Sequence, residues 1–158
     1  GGISSNTSIG ANNLLNNTTG AYNTSVGHQA LKSNISSQYN TAFGSRSLEA
    51  YNFNGAEVLG GRNTAFGTFT GQHLTSGMRN VILGYNAGVY ISSGAQLTSL
   101  NSSILLGYNV KPLANDDTNE IAIGSDVVGN GSNTVTMKRI YYEYVFEREY
   151  QWRYLERY

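Results

Sequence analysis

Two histidines are the first side chains in this sequence that could carry out chemistry. His28 and His73 are the only histidines in the chain. A hydrolytic triad needs a histidine held between a nucleophile and an orienting carboxylate. The two histidines stand at different places relative to the repeat described below, and neither has matched partners in the sequence. We therefore interpret both as surface polar residues.

Glu49 and Glu57 are candidates for a pair of catalytic carboxylates. Glycoside hydrolases use two carboxyl groups on either side of the bond that they cleave. Tyr51 and Phe53 are the aromatic residues near this pair that could support a sugar ring. We favour a plain surface loop here and predict that the protein is not an enzyme.

An acidic cluster near the carboxyl-terminal end is the candidate for metal binding. It consists of Asn115, Asp116, Asp117, Asn119 and Glu120, with Asp126 nearby. Calcium takes about six to eight oxygen ligands, but the EF-hand spacing with its glycine is absent. We expect a solvated loop and no metal, and Asp116 and Asp117 are the ligands that a calcium site would use.

Composition excludes several classes of protein. The formal net charge is zero, and no basic cluster precedes Lys138, so we expect no nucleic-acid partner. The chain has no cysteine, and no apolar run reaches the ~18 residues that a membrane span needs. We expect no cofactor and no membrane span. The chain opens at Gly1 without an initiator methionine, and we expect it to be a piece of a longer protein.

Seven short strand-like stretches, each closed by a glycine, show that this is a repeat protein. The closing glycines are 17 or 23 residues apart. Stacked units of this kind bury a core only against their neighbours. A degenerate eighth copy without its glycine lies at 133–137. The repeat residues are Asn6, Gly10, Asn23, Gly27, Asn40, Gly44, Asn63, Gly67, Asn80, Gly84, Gly107 and Gly124.

Side chains alternate within each repeat and define two faces. In the stretch NTAFG, Thr41 and Phe43 lie on a first face and Asn40 and Ala42 on a second. The first face carries the bulkier apolar groups throughout, so we expect it to point into the coil. The second face turns apolar from the middle of the chain, so we expect another chain to cover it. The asparagines that open five repeats should form a hydrogen-bonded ladder.

The segments between the strand-like stretches complete each coil. Segments 11–14, 28–31 and 45–48 each carry an apolar residue four positions after the glycine, which predicts a second short strand. The 23-residue intervals predict loops at 49–61 and 89–101 that protrude from a regular stack. Such loops are natural places for binding. Tyr51, Phe53 and Tyr90 are the candidate receptor contacts.

These repeats resemble a known family. NTSIG, NTAFG and the GYNAG run at 84–88 are similar to the head repeats of trimeric autotransporter adhesins and to related repeats of bacteriophage tail fibres. The resemblance covers residues 3–137. It implies a homotrimer of parallel β-rolls that share a core along the fibre axis, and a role in attachment. The 17-residue spacing fits the tail fibres better than the shorter repeats of the autotransporter heads.

Composition changes abruptly near Met137. We predict a β-roll domain at 1–137 and an oligomerisation or connecting segment, rich in aromatic and charged residues, at 138–158. Ile140, Tyr142, Tyr144 and Phe146 alternate as in a strand, whereas aromatic residues from 146 recur every four positions as in a helix. Both readings stay open.

The sequence as a whole predicts an all-β fold, a parallel β-solenoid (left-handed β-roll) of about seven coils assembled as a homotrimer. We expect an extracellular structural and attachment module of a phage tail fibre or bacterial adhesin, which contacts a host surface receptor or glycan. One alternative is a polysaccharide-cleaving tailspike that uses Glu49, Glu57 or Asp116 and Asp117. Another is an extracellular filament subunit that assembles with itself.

Overall fold

The fold is a parallel β-solenoid. A computed structural model describes residues 5–53 and 61–138, and within them it contains eight strands and no helix. Each strand pairs with the next in chain order, so the sheet order is also the sequence order. The strands are β1 (Thr7–Ile9), β2 (Thr24–Val26), β3 (Thr41–Phe43), β4 (Thr64–Phe66), β5 (Val81–Leu83), β6 (Ile104–Leu106), β7 (Ile121–Ile123) and β8 (Val135–Met137).

The strands and their register are as the repeat predicts. Thr24 lies opposite Thr41 in a coil of regular length. Thr41 lies opposite Thr64 across the first longer interval, in the same register. The six extra residues therefore leave the strand in phase, because a loop can lengthen without moving the strand that follows. The degenerate copy at 133–137 supplies the eighth strand.

The prediction of which face points inward is wrong. Ala42, the middle residue of β3, is fully buried, whereas its neighbours Thr41 and Phe43 are exposed. The same inversion holds along the stack, since the middle residues of β2 to β7 are all buried. The first face therefore lies outside the coil. The second face, which we expected another chain to cover, lines the interior of the coil and is already buried in the single chain.

The narrow interior of the coil explains this inversion. The middle residue of each strand packs in the coil interior, beside the residue four positions after the repeat glycine of the preceding coil. Leu31 and Leu48 hold that position where the strand residue is alanine, as at Ala42. Where the middle residue of the strand is larger, as at Ile82, the position holds glycine instead of leucine. A Cβ on Gly71 would already lie 3.2 Å from Ile82 Cδ1. Close packing tolerates one large group per coil at this place but not two.

The segments after the glycines are turns and not the predicted second strands. Gln29 and Leu31 have left-handed backbones with φ of 59° and 48°. Their N–H groups bond in opposite directions along the stack, from Gln29 to the Ala11 carbonyl and from Leu31 to the Ser47 carbonyl. The left-handed residues prevent an extended strand but keep every coil bonded to both neighbours. The apolar residue predicted at the fourth position is indeed buried at Leu31 and Leu48.

The second predicted loop is only partly a protrusion. Tyr90 and Gln96 form an antiparallel bridge that closes a small hairpin. Val89, Leu97 and Leu100 turn back into the interior and are buried. The inserted residues therefore extend the core of this coil as well as its surface. Much of the first insertion, at 54–60, and the predicted tail beyond Lys138 lie outside the described residues.

Candidate functional site

The outward face of the sheet carries a row of exposed apolar side chains in the described part of the chain. We define it as the first and third residues of each strand. The third residues include Ile9, Phe43, Phe66, Leu106 and Met137, which are exposed by 61%, 44%, 55%, 39% and 66%. The rings of Phe43 and Phe66 stack, with centroids 4.6 Å apart and planes 7° from parallel. Exposed apolar surface that continues across a whole sheet marks an interaction site far more often than a free surface.

The predicted asparagine ladder forms inside the coil. Each side-chain oxygen accepts a hydrogen bond from the backbone N–H of the next ladder residue. Asn40 and Asn63 also donate through their amide nitrogens to the preceding asparagine. The ladder satisfies polar backbone groups that burial would otherwise leave unpaired. Its N–H to oxygen distances are 2.8 Å for Asn23 to Asn6, 2.9 Å for Asn40 to Asn23, 3.2 Å for Asn63 to Asn40 and 3.1 Å for Asn80 to Asn63.

The ladder continues through Ser103 and ends at a buried acid. Ser103 N–H donates to Asn80 Oδ1 at 3.0 Å, and Glu120 N–H donates to Ser103 Oγ at 3.0 Å. Glu120 Oε1 accepts a hydrogen bond from the Gly131 N–H at 2.8 Å, while Oε2 is buried without a partner. Burial raises the pKa of the Glu120 carboxyl, and the nearby charge of Asp117 raises it further. Glu120 is therefore a buried residue, and the prediction of a solvated loop is wrong at this position.

Replacing Glu120 with glutamine should stabilise the protein at neutral pH. A folded-state pKa above the unfolded value of about 4.3 means that the folded chain binds more protons, so stability falls as pH rises between the two pKa values. The Glu120→Gln variant has no proton to lose, and we expect a gain on the order of 1 kcal/mol at pH 7. Urea unfolding of both proteins at a series of pH values measures this effect.

Glu49→Gln is the matched control for this experiment. Glu49 accepts a hydrogen bond from Gln72 Nε2 at 2.9 Å on the coil surface, and its oxygen lies 3.9 Å from Arg46 Nε. This substitution should leave unchanged the pH dependence of the unfolding free energy that we assign to Glu120. If Glu120→Gln unfolds with the same pH dependence as the original chain, the buried carboxyl is not the source of that slope.

The three predicted loop contacts have different environments. Tyr51 is fully buried, and its hydroxyl donates to the Gly77 carbonyl at 2.7 Å. Burial raises the pKa of this hydroxyl. Tyr51 is therefore a core residue, and the prediction that it contacts a receptor does not fit its position. Phe53 packs partly buried against the core. Tyr90 stays on the surface, 37% exposed, with its ring centroid 5.9 Å from that of His73.

The acidic residues fix turns. Asp117 accepts hydrogen bonds from the Ala114 N–H at 2.8 Å and from Ser132 Oγ at 3.0 Å. Asp116 is exposed in a left-handed conformation. Within residues 5–53 and 61–138, no group of three or more histidine, cysteine or acidic side chains is placed to hold a metal ion.

The other chemistry-bearing residues are not brought together. Glu49 is engaged with Gln72 and Arg46, and Glu57 lies outside the described residues. His28 is exposed on the second coil, whereas His73 lies on the fourth beside Tyr90. Among the described residues, Glu49, His28 and His73 therefore do not form one cluster.

Surface aromatic columns are the feature that sequence reasoning missed. Tyr22 and Tyr39 stack at 5.0 Å, and Tyr85 and Tyr108 stack at 5.8 Å. Each pair occupies one repeat position in successive coils, so aligning the repeats by their glycines would have revealed both columns.

Comparisons of the chain with protein-family models, with curated proteins and with solved structures gave no match. Across the described ranges, no helix has the length and apolar character needed to cross a bilayer.

Proposed function

We propose that this protein is a structural and attachment module of an extracellular fibre, in which three parallel copies of a left-handed β-roll pack around one axis. The observation that carries the proposal is the outward face of the sheet, which is apolar and exposed in the single chain. Burying such a face is the main driving force for association of this kind. The likeness of the NTAFG-type repeats to those of tail fibres and adhesin heads agrees with it.

A second and third copy of the same chain are the partners that fit this face best. Eight strands about 4.8 Å apart make a surface roughly 35 Å long. Another copy has the same coil spacing, so a rotation axis parallel to the stack keeps equivalent coils level. Phe43 then meets Phe43 of the other copies, and Phe66 meets Phe66. A closed ring of this symmetry leaves no copy of the face uncovered.

The coil is suited to carrying load along a fibre. Each strand bonds to both neighbours, and the buried asparagine ladder adds side-chain bonds between the same coils. Pulling one coil from the next would break several of these bonds at once. The role that we propose is therefore mechanical: the stack holds a host-binding surface at a fixed distance and orientation on a virion tail fibre or a cell surface. The Tyr90 hairpin is one exposed part of that surface.

Placing a charge on the outward face tests the trimer. Phe66→Glu should convert the trimer to a monomer, because three carboxylates would meet near the axis in a water-poor contact. Light scattering gives the mass of each variant in solution. Ile35→Glu is the matched control: Ile35 is 43% exposed but lies outside the strands, and this variant should stay trimeric. A monomeric original chain, or a trimeric Phe66→Glu variant, would contradict the proposed contact.

A further inference from the structure

A strip of aromatic side chains runs along one corner of the solenoid, just after the strands. It consists of Phe69, Tyr85 and Tyr108, and we call it the tyrosine strip. Phe69 meets Tyr85 edge to face at 5.8 Å, and Tyr85 stacks on Tyr108 at 5.8 Å with planes 9° apart. Tyr85 and Tyr108 are 50% and 52% exposed. The contacts hold the rings in a fixed orientation while leaving about half of each tyrosine open to solvent.

A row of polar side chains lies beside the tyrosine strip, one residue further along each coil. Asn86 Nδ2 donates to Asn109 Oδ1 at 2.9 Å, and Asn109 Nδ2 donates to Asp126 Oδ1 at 2.8 Å. We call these three residues the amide row. The hydrogen bond from Asn109 lowers the pKa of Asp126, so the carboxylate at the end of the row stays ionised. Its oxygens keep lone pairs for further hydrogen bonds.

Within residues 5–53 and 61–138, Tyr108 has one aromatic neighbour, which leaves its second ring face without one. Tyr85 covers the other face. The next coil carries Ser125 at the position of Tyr108, and a serine side chain is too small to cover a phenol ring. Asp126 lies on the next coil, where its N–H donates to the Tyr108 carbonyl at 2.9 Å and its Oδ1 accepts a hydrogen bond from Asn109, the residue after Tyr108. A half-exposed ring and an ionised acceptor on adjacent coils therefore stand at the end of the strip.

We propose that the tyrosine strip and the amide row bind an extended, neutral polysaccharide aligned with the stack. The apolar face of one sugar ring packs on the free face of Tyr108, and its hydroxyls donate to Asp126. Further sugars lie along the amide row towards Asn86, since an extended β-1,4-linked hexose chain advances per sugar by a distance close to the strand spacing of about 4.8 Å. The charge of Asp126 is offset by Lys111 and Lys138 nearby, so the site has no charge of one sign that would select an acidic or a basic sugar.

The rigidity of this surface favours a sugar chain as its ligand. Backbone bonds between coils hold both rows, including Asn109 N–H to the Tyr85 carbonyl at 2.9 Å. Binding then costs little side-chain entropy in the protein, which leaves more of the contact energy as affinity. The inference rests on the proposed attachment function, for which it names the ligand class and the contact residues.

Calorimetric titration with cellohexaose, chitohexaose and laminarihexaose tests this site. We expect the original chain to bind at least one of the three. Tyr108→Ala and Asp126→Ala should each weaken that binding by about tenfold or more. Tyr22→Ala is the matched control: Tyr22 is 55% exposed and stacks on Tyr39, but it lies outside both the tyrosine strip and the amide row. The affinity of Tyr22→Ala for the sugar should stay within about twofold of that of the original chain, well under the tenfold loss expected for Tyr108→Ala and Asp126→Ala.

Light scattering of every variant separates failure of this site from failure of the fibre. All three variants should keep the mass of the original chain. If no hexasaccharide binds to a chain that is trimeric, the polysaccharide site is wrong while the fibre stands. If Tyr108→Ala changes the mass, the strip belongs to the subunit contact and is not a ligand site. Equal loss of affinity in Tyr22→Ala would also overturn the assignment.

Discussion

The Gly84→Ala variant should lose at least about 3 kcal/mol of unfolding free energy, a large effect for one added methyl group. Gly84 closes β5 with φ of 120°, a backbone conformation that side chains with a Cβ rarely adopt. A Cβ at this position would collide with the carbonyl oxygen of Gly107 in the next coil. Backbone cannot yield as a flexible side chain can, so the two coils would have to separate. Urea unfolding measures the loss.

Gly94→Ala distinguishes this collision from backbone strain alone. Gly94 also has a positive φ, 86°, but a Cβ there would meet no atom within 4 Å. We expect this control to cost roughly 1 kcal/mol, the penalty for a strained conformation. Equal losses in the two variants would mean that the contact between Gly84 and Gly107 adds nothing, and that the repeat glycines are needed only for their dihedral angles.

The strand positions and the ladder could be predicted because each depends on a local pattern that recurs. A three-residue stretch closed by glycine recurs in the first seven coils, with Asn-Thr at its start in the first four, and places a strand in each. The asparagine at the same place in successive coils brings one amide above another, which predicts the ladder. Which side chains of the strand point into the coil could not be predicted in the same way. Thr41 and Phe43 are bulkier than Ala42, but the deciding quantity is the width of the coil interior, which depends on Leu48 and its equivalents on the opposite wall.

The repeat pattern also could not predict whether an individual residue such as Tyr51 is buried. Tyr51 replaces an asparagine that occupies the same position in the two preceding coils, Asn17 and Asn34, which bond to each other at 3.0 Å. An aromatic residue beside an insertion indicates an exposed loop. The structure instead places its ring in the core and its hydroxyl on the Gly77 carbonyl. The open face of Tyr108 likewise depends on which residue the next coil supplies.

The pair Gly71 and Ile82 should be strongly coupled in a double-mutant cycle. Ile82→Ala alone leaves a cavity in the fifth coil and should cost about 2–5 kcal/mol. Gly71→Leu alone should cost about 1–3 kcal/mol or more, because its Cβ would already lie 3.0 Å from Leu48 Cδ2 and 3.2 Å from Ile82 Cδ1. The two changes together recreate the leucine and alanine found at the equivalent positions, Leu31 in the second coil and Ala42 in the third.

The double variant should therefore be more stable than the sum of the single losses by about 1–3 kcal/mol. The left-handed backbone at Gly71, with φ of 55°, does not prevent this, because Leu31 and Leu48 adopt φ of 48° and 50° at the equivalent position. Ile82→Ala combined with Leu31→Ala is the control, since two coils separate these residues and their effects should add. If the losses of stability for Gly71→Leu and Ile82→Ala also add, the side chains on the two walls of the coil are not matched in volume. Our explanation of which strand residues point inward would then fail.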